Sequence, residues 1–159
     1  MRQIAEANLL DVDLPAEPRS ASRARSAVLD ALKGIAVDRD AIGVVVSEAV
    51  TNVVIHAYRD REQPGEVHVS ARLDDEGVEV AVVDDGVGLS PRADSPGVGL
   101  GMPLIADLAD RVEISHQHPG GTRVSARFVL MGAAGPHGRA LTRTVAGRAE
   151  RQTARLVAV

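Results

Sequence analysis

The segment GVVVSEAVTNVVIHAYRD, residues 43–60, decides how the rest of this chain folds. Its many β-branched valines favour a strand as much as a helix, so the polar residues have to settle the choice. Glu48, Asn52 and His56 lie four residues apart, a spacing that puts them on one face of a helix. We therefore predict a helix that is apolar nearly all round and runs to about Tyr58.

Two residues before this helix are candidates for its N-cap. Asp38 and Asp40 both have the side chain of a good N-cap, and either can accept a hydrogen bond from the first turn.

The polar stripe formed by Glu48, Asn52 and His56 admits two interpretations. Burying a carboxylate and an amide without partners is costly, so such a stripe usually faces a cleft or a ligand. The alternative is a solvent-facing stripe on an ordinary amphipathic helix. This segment alone does not separate the two.

The patterns on either side of the helix predict an α+β fold. Strands are expected over residues 4–14, 67–73, 78–83, 111–116 and 122–130, and further helices over residues 19–35 and 102–110. The first strand stops at Pro15 and is expected at an edge, and Asp74 to Gly77 form a hairpin loop. Runs of strands with separate helices favour a two-layer α/β sandwich, in which helices cover one face of a mixed, mostly antiparallel sheet.

Composition excludes several classes of function. The 159 residues suffice for one domain, and they include no Cys, which excludes disulfides and any Cys-ligated metal. Phe128 and Tyr58 are the only aromatic residues, which argues against a platform that stacks nucleic-acid bases. No stretch approaches 18 apolar residues, and the N-terminus has no signal-peptide pattern, so we expect a cytoplasmic protein with no membrane segment.

Charge divides the chain into two parts. The net charge is −4, but residues 1–131 carry −8 and residues 132–159 carry +4, with five Arg and one Glu. We expect one folded domain over residues 1–131 and a basic, solvated tail over residues 132–159, the alternative for the tail being a loose linker followed by a short helix over about residues 140–157. Arginines without aromatic residues favour no specific nucleic-acid binding.

Two glycine-containing segments are the other candidates for a site. In VEVAVVDDGVGL, residues 78–89, a strand runs into Asp84, and Gly86 and Gly88 let a ligand approach the backbone. In GVGLGMPLIADLADRV, residues 97–112, glycines precede a helix whose free N–H groups suit an anion. Taken singly, the first segment is equally an ordinary turn and the second an ordinary loop.

Together the three segments are far more specific, and their order and spacing resemble the ATP-binding domain shared by gyrase, heat-shock chaperones, histidine kinases and mismatch-repair ATPases. Glu48, Asn52 and His56-Ala57 resemble its N box. Its two glycine boxes resemble Asp84-x-Gly86-x-Gly88 and Gly99-Leu100-Gly101-Met102, and Gly121-Thr122 resembles its closing motif.

Within that superfamily the chain is most similar to the bacterial anti-sigma-factor serine kinases. The resemblance covers about residues 7–130 and is carried by Ser47 to Tyr58, Ala24-Arg25 and Leu108 to Val112.

The resemblance implies roles for individual residues. Asn52 would coordinate Mg²⁺ against the phosphates of ATP, and Asp84 would accept a hydrogen bond from the adenine amino group, partly through water held near Thr122. Glu48 would act as the general base. The residues expected to line the nucleotide are Gly86, Gly88, Gly99, Leu100, Gly101 and Met102.

The resemblance leaves two functions open. The first is a serine/threonine protein kinase that phosphorylates an anti-anti-sigma partner. The second is a non-catalytic, nucleotide-gated module that sequesters a sigma factor or another regulator. The second stays open because the segment from Gly88 to Gly99 is short and holds one basic residue, Arg92.

The first strand and first helix are the expected contact surfaces. An exposed edge strand around residues 7–13 can pair with another chain, which favours a homodimer. Arg19, Arg23 and Arg25 suit an acidic partner surface, although they are equally typical of a solvated helix face.

Overall fold

A computed structural model describes residues 6–58, 62–87 and 101–132 of the chain. The strands are β1 (Ala7–Pro15), β2 (Glu66–Asp74), β3 (Gly77–Asp84), β4 (Arg111–His116) and β5 (Thr122–Phe128). The helices are α1 (Pro18–Ala31), α2 (Arg39–Asn52) and α3 (Gly101–Leu108), and a π-helical turn over Val53–Ala57 continues α2.

The described strands form one sheet in the order β1-β2-β3-β5-β4, and every pairing is antiparallel. The predicted α+β class, with a mostly antiparallel sheet, is therefore confirmed. The expected parallel component of a mixed sheet does not occur among these five strands. β1 lies at an edge, as its ending at Pro15 predicted.

Local chemistry explains where α2 and the central hairpin begin. The Asp38 side chain accepts a hydrogen bond from the Ala41 backbone N–H at 3.0 Å, so Asp38 is the N-cap and Asp40 lies in the first turn. The hairpin is tighter than predicted, because Asp74 and Gly77 pair as strand residues. Asp74 still closes the turn by accepting from the backbone of Gly77 at 3.1 Å.

The core lies between the sheet and the helices and is almost entirely aliphatic. Alternate residues of each central strand point into it, so that β3 contributes Val78, Val80 and Val82. Its two aromatic side chains are Phe128 and Tyr58, which are 2% and 7% exposed. The other sheet face carries charged rows, in which Arg127 Nη1 lies 2.7 Å from Asp74 Oδ1.

The helix formed by α2 and the π-helical turn bears on the expectation that the chain has no membrane segment. Arg39–Ala57 is long and apolar enough, by length and composition alone, to cross a membrane, with a mean hydropathy of 1.3. Ile42, Val46 and Val50 are nevertheless fully buried in the core. Its hydropathy is that of a central core helix covered by protein on its apolar side.

The domain boundary predicted at residue 132 is not tested by the described residues, which end there. Strand β5 ends at Phe128, two residues earlier than predicted. The chain stays attached to the body beyond it, because the Met131 N–H donates to the Ala36 carbonyl oxygen at 2.6 Å. The basic segment after residue 132 lies outside the described residues.

Candidate functional site

A narrow cavity opens between the end of α2 and the middle of the sheet. Its walls are mainly apolar, and three polar side chains besides Asp84 reach it, from Asn52, His56 and Thr122. The full lining is Ala49, Asn52, Val53, His56, Ala57, Val82, Asp84, Thr122 and Val124. Mainly apolar walls with a few polar groups suit a heterocyclic ring better than a charged ligand.

The polar stripe of α2 divides between two places. Asn52 and His56 line the cavity, whereas Glu48 lies one turn further back and is not part of its wall. Residues 53–57 form a π-helical turn instead of the expected continuation of the α-helix, and this feature is frequent at functional sites. Of the two interpretations left open for the stripe, the cavity lining favours the cleft for Asn52 and His56.

Asp84 forms the polar end of the cavity. It is the last residue of β3, it pairs across the sheet with Thr122, and it is only 6% exposed. Its Oδ1 accepts a hydrogen bond from the Gly86 backbone N–H at 2.9 Å, and the Thr122 backbone N–H donates to it as well. Burial raises the pKa of this carboxyl above its ordinary value, and these two hydrogen bonds oppose that effect.

Two glycines let the turn after Asp84 fit between its neighbours. A Cβ on Gly86 would collide with the Ala57 carbonyl oxygen, and the next residue, Val87, donates its N–H to that same oxygen at 3.0 Å. Gly121 has a φ of +102°, and a Cβ there would collide with the Asp84 carbonyl oxygen. The turn is therefore enclosed by α2 on one side and by the β4–β5 connection on the other.

At the other end of the site, the start of α3 approaches α2. A Cβ on Gly101 would lie 3.2 Å from both Asn52 Oδ1 and Asn52 Nδ2, and 3.3 Å from Glu48 Oε2. Glu48, Asn52 and the N-terminal turn of α3 thus meet at one point. The positive end of a helix dipole favours an anion such as a phosphate at this point.

The donors at this point also fit a Mg²⁺ ion shared with phosphates. Within residues 6–58, 62–87 and 101–132, no three His, Asp or Glu side chains cluster as a metal site. Mg²⁺ commonly takes one or two protein oxygens and completes its shell with substrate phosphates and water. The Asn52 amide oxygen, with Glu48 beside it, is a donor set of that kind.

The predicted site residues thus separate into two groups within one site. Asp84, Gly86 and Thr122 lie at the cavity end, while Glu48, Asn52 and Gly101 meet at the start of α3. Met102 follows Gly101 in α3 and is half-buried. Gly88, Gly99 and Leu100, together with Arg92, lie outside the described residues.

Sequence reasoning missed the residues that hold the first glycine turn in place. In the turn over residues 84–87, the Ala57 carbonyl oxygen lies against Gly86, and the Tyr58 hydroxyl donates to Asp85, 27 residues further along the chain. The available signal was that Tyr58 is the only tyrosine in the chain and directly follows the polar stripe.

Comparison with known proteins agrees with this geometry. The histidine kinase-like ATPase domain matches the chain over residues 14–128. The anti-sigma F factor of Clostridium beijerinckii is 31% identical over 94 residues, which cover 52% of this chain and 65% of that protein. The anti-sigma F factor of Heyndrickxia coagulans is 39% identical over 90 residues, which cover 49% of this chain and 60% of that protein.

The chain therefore spans somewhat less than two thirds of the length of these relatives. The family match, in contrast, extends from the end of β1 to the end of β5 and includes every described residue of the cavity wall. Over about half of its length the chain is similar to anti-sigma F factors, and it belongs to the histidine kinase-like ATPase domain family.

Proposed function

We propose that this protein is an anti-sigma regulator that acts as an ATP- and Mg²⁺-dependent serine/threonine protein kinase on an anti-anti-sigma partner. The observation that supports this most directly is the meeting of Glu48, Asn52 and Gly101 at the end of the site away from Asp84. A carboxylate, a metal-ligand amide and a helix N-terminus are the groups that a transferring phosphoryl needs.

The nucleotide would lie with its base in the cavity and its phosphates toward α3. Asp84 would accept a hydrogen bond from the adenine amino group, because its buried carboxylate offers acceptors and no donor above its pKa. The turn at Gly86 would follow the nucleotide closely. Asn52 would hold Mg²⁺, which when bound stabilises negative charge on the phosphates.

Phosphoryl transfer would then use Glu48 as the general base. A bond forms between the partner's serine oxygen and the γ-phosphorus while the bond from that phosphorus to the β–γ bridging oxygen breaks. The serine proton goes to Glu48, and ADP leaves. A carboxylate suits this task because it is half-buried and lies one helical turn from the proposed metal ligand, Asn52.

Glu48→Gln separates catalysis from binding. The substitution keeps the size of the side chain but removes the base, so ATP affinity should change little while phosphorylation of a purified anti-anti-sigma protein falls by about 10²–10⁴-fold. Titration calorimetry gives the affinity, and transfer of labelled phosphate gives the rate. Asn52→Ala is the contrasting variant and should lose Mg²⁺-dependent ATP binding together with activity.

The outcomes distinguish the two functions left open by the sequence. Equal phosphorylation by wild type and Glu48→Gln would show that Glu48 is not the base. If neither protein transfers phosphate but both hold the partner only with ATP bound, the protein is a nucleotide-gated module that sequesters a sigma factor or another regulator. The single basic residue, Arg92, between Gly88 and Gly99 favours this second candidate.

The proposed partner surfaces are the edge strand and the first helix. Strand β1 has a free edge in the described sheet, which supports the proposal of a homodimer. Arg23 and Arg25 are exposed on α1, whereas Arg19 is already paired with Glu17 at 2.7 Å. We place this regulation in the cytoplasm, with no role for a membrane or a specific nucleic acid.

A further inference from the structure

Tyr58 lies where the π-helical turn, the start of β2 and the turn after β3 meet. It directly follows the π-helical turn, and its ring is buried, with 7% of the residue exposed. Its hydroxyl lies 2.6 Å from the Glu66 carbonyl oxygen and 2.6 Å from Asp85 Oδ1. One proton is thus shared between two acceptors, while the Asp85 backbone N–H donates to the same hydroxyl at 3.3 Å.

The surroundings show that this arrangement is built around the tyrosine. A Cβ on Gly65 would collide with the Tyr58 ring, so the chain before β2 runs directly across it. Burial, followed by the hydrogen bond with Asp85, raises the pKa of Tyr58 to about 12. The hydroxyl therefore keeps its proton, and its hydrogen-bond donation, over the whole physiological range.

These contacts connect Asp85, the neighbour of Asp84 in sequence, to the end of the π-helical turn that continues α2. The backbone between Asp84 and Gly86 is then held at both ends, because Gly86 N–H bonds to Asp84 Oδ1 and Val87 N–H bonds to the Ala57 carbonyl oxygen. The Asp84 backbone is paired with β2 and β5, and its side chain is bonded to this short stretch through the Gly86 N–H. A displacement of Asp85 would turn the Asp84 carboxylate relative to the cavity.

We propose that Tyr58 and Asp85 form a positioning pair that sets the nucleobase selectivity of the site by fixing the Asp84 carboxylate. The inference rests on the proposed function, in which Asp84 accepts from the adenine amino group. Adenine carries an amino donor at the position where guanine carries a carbonyl acceptor. A fixed carboxylate therefore attracts the first base and repels the second, and a loosely held carboxylate discriminates less well.

The competing explanation is that Tyr58 only stabilises the fold. A purely structural role predicts a lower melting temperature and equal losses of affinity for all nucleotides. A positioning role predicts a selective loss for ATP, which a stability defect does not produce. The ratio of the GTP and ATP dissociation constants is therefore the measurement that separates them.

Tyr58→Phe removes the hydroxyl and keeps the buried ring, and Asp85→Ala removes the acceptor from the exposed side. Each should weaken ATP binding by about tenfold, as expected for a hydrogen bond to a charged group, and should leave GTP binding within about twofold of wild type. Asp85→Asn keeps an acceptor oxygen and should restore most of the selectivity. The double variant Tyr58→Phe with Asp85→Ala should lose no more than the worse single variant.

Ser47→Ala is the matched control. It also removes a hydroxyl that donates to a backbone oxygen, that of Gly43 at 2.8 Å, from the same helix. Ser47→Ala should leave the ratio of the GTP and ATP dissociation constants unchanged. Thermal unfolding of every variant without nucleotide shows whether each folds, and Asp85→Ala keeps the test decisive if Tyr58→Phe does not.

The results assign failure to one proposal or the other. If wild type binds ATP better than GTP but Tyr58→Phe and Asp85→Ala keep the wild-type ratio, the positioning pair is refuted and the proposed function stands. If the losses of ATP affinity in Tyr58→Phe and Asp85→Ala multiply in the double variant, the two residues act independently and the positioning pair is also refuted. If wild type binds no ATP, the proposed function fails and this inference fails with it.

Discussion

Asp84 gives the sharpest prediction, because one substitution at this position has opposite effects on nucleotide binding and on stability. Its carboxyl is 6% exposed, and burial raises its pKa above the ordinary value of 3.8. In the folded protein, the charged form is therefore less favourable than it is in the unfolded chain. Asp84→Asn removes the charge while keeping the size of the side chain and one acceptor oxygen.

The sign of the stability effect follows from proton linkage. A raised folded pKa means that the native state holds the Asp84 proton more tightly, so this group's contribution to stability is full below 3.8 and is lost as pH rises through the folded pKa. Titrating groups far from Asp84 cancel in the difference, whereas the neighbouring Asp85, whose negative charge also raises the pKa of Asp84, adds to the effect in the same direction. The unfolding free energy of wild type should therefore fall relative to that of Asp84→Asn as pH increases from about 3 to 7.

The binding effect has the opposite direction. A hydrogen bond between a charged group and a neutral partner contributes about 1.5–3 kcal/mol, so Asp84→Asn should weaken ATP binding by about 10–150-fold. Urea unfolding across the pH range measures the first effect, and calorimetry with ATP at neutral pH measures the second. Wild type gaining stability over the variant as pH rises would refute the buried charge, and unchanged ATP affinity would refute the nucleobase contact.

Two further predictions concern packing at the site and in the core. Gly101→Ala places a methyl group 3.2 Å from the Asn52 amide. The affinity for Mg²⁺-ATP, measured by calorimetry, should therefore fall by about tenfold, while the melting temperature changes little. Full affinity would contradict the close approach of α3 to α2 at this point. Ser20 Oγ is buried and has no hydrogen-bond partner among the described residues. Ser20→Ala should therefore leave the free energy of unfolding in urea unchanged or raise it by up to about 1 kcal/mol. A clear loss of stability would reveal a partner for the hydroxyl.

Much of the fold was predictable because the sheet repeats a simple pattern. In β2, Val67, Val69 and Ala71 alternate with polar residues, so the sequence period of two identifies this strand. β3 is instead a nearly continuous run of valines after a turn. The helix at residues 39–52 was predictable despite its valines, because Glu48 and Asn52 define a face that a strand could not bury. Turn chemistry at Asp74 located the hairpin but not its exact ends.

Other features depend on contacts that no local pattern contains. Val53, Val54 and Ile55 are as compatible with an α-helix as with the π-helical turn that they form, so their side chains do not decide between the two. The bond between Tyr58 and Asp85 joins residues from separate elements, and so does the approach of Gly101 to Asn52. Family motifs identified the groups at the two ends of the site, but not the residues that hold them.

The two ends of the site differ in how they are built, and this difference bears on how a nucleotide is recognised. At the base end, Gly86 is pressed against Ala57 and Gly121 against the Asp84 backbone, while Tyr58 bonds to the residue between Asp84 and Gly86. Steric and hydrogen-bonded restraints thus fix the acceptor before any ligand arrives, which reduces the entropy lost on binding. At the other end, Glu48 and Asn52 are half-buried, and in the proposed function they would gain further partners from Mg²⁺ and the phosphates. On that proposal, selectivity for the base would belong to the end that is built in advance, and phosphoryl transfer to the end that the ligand completes.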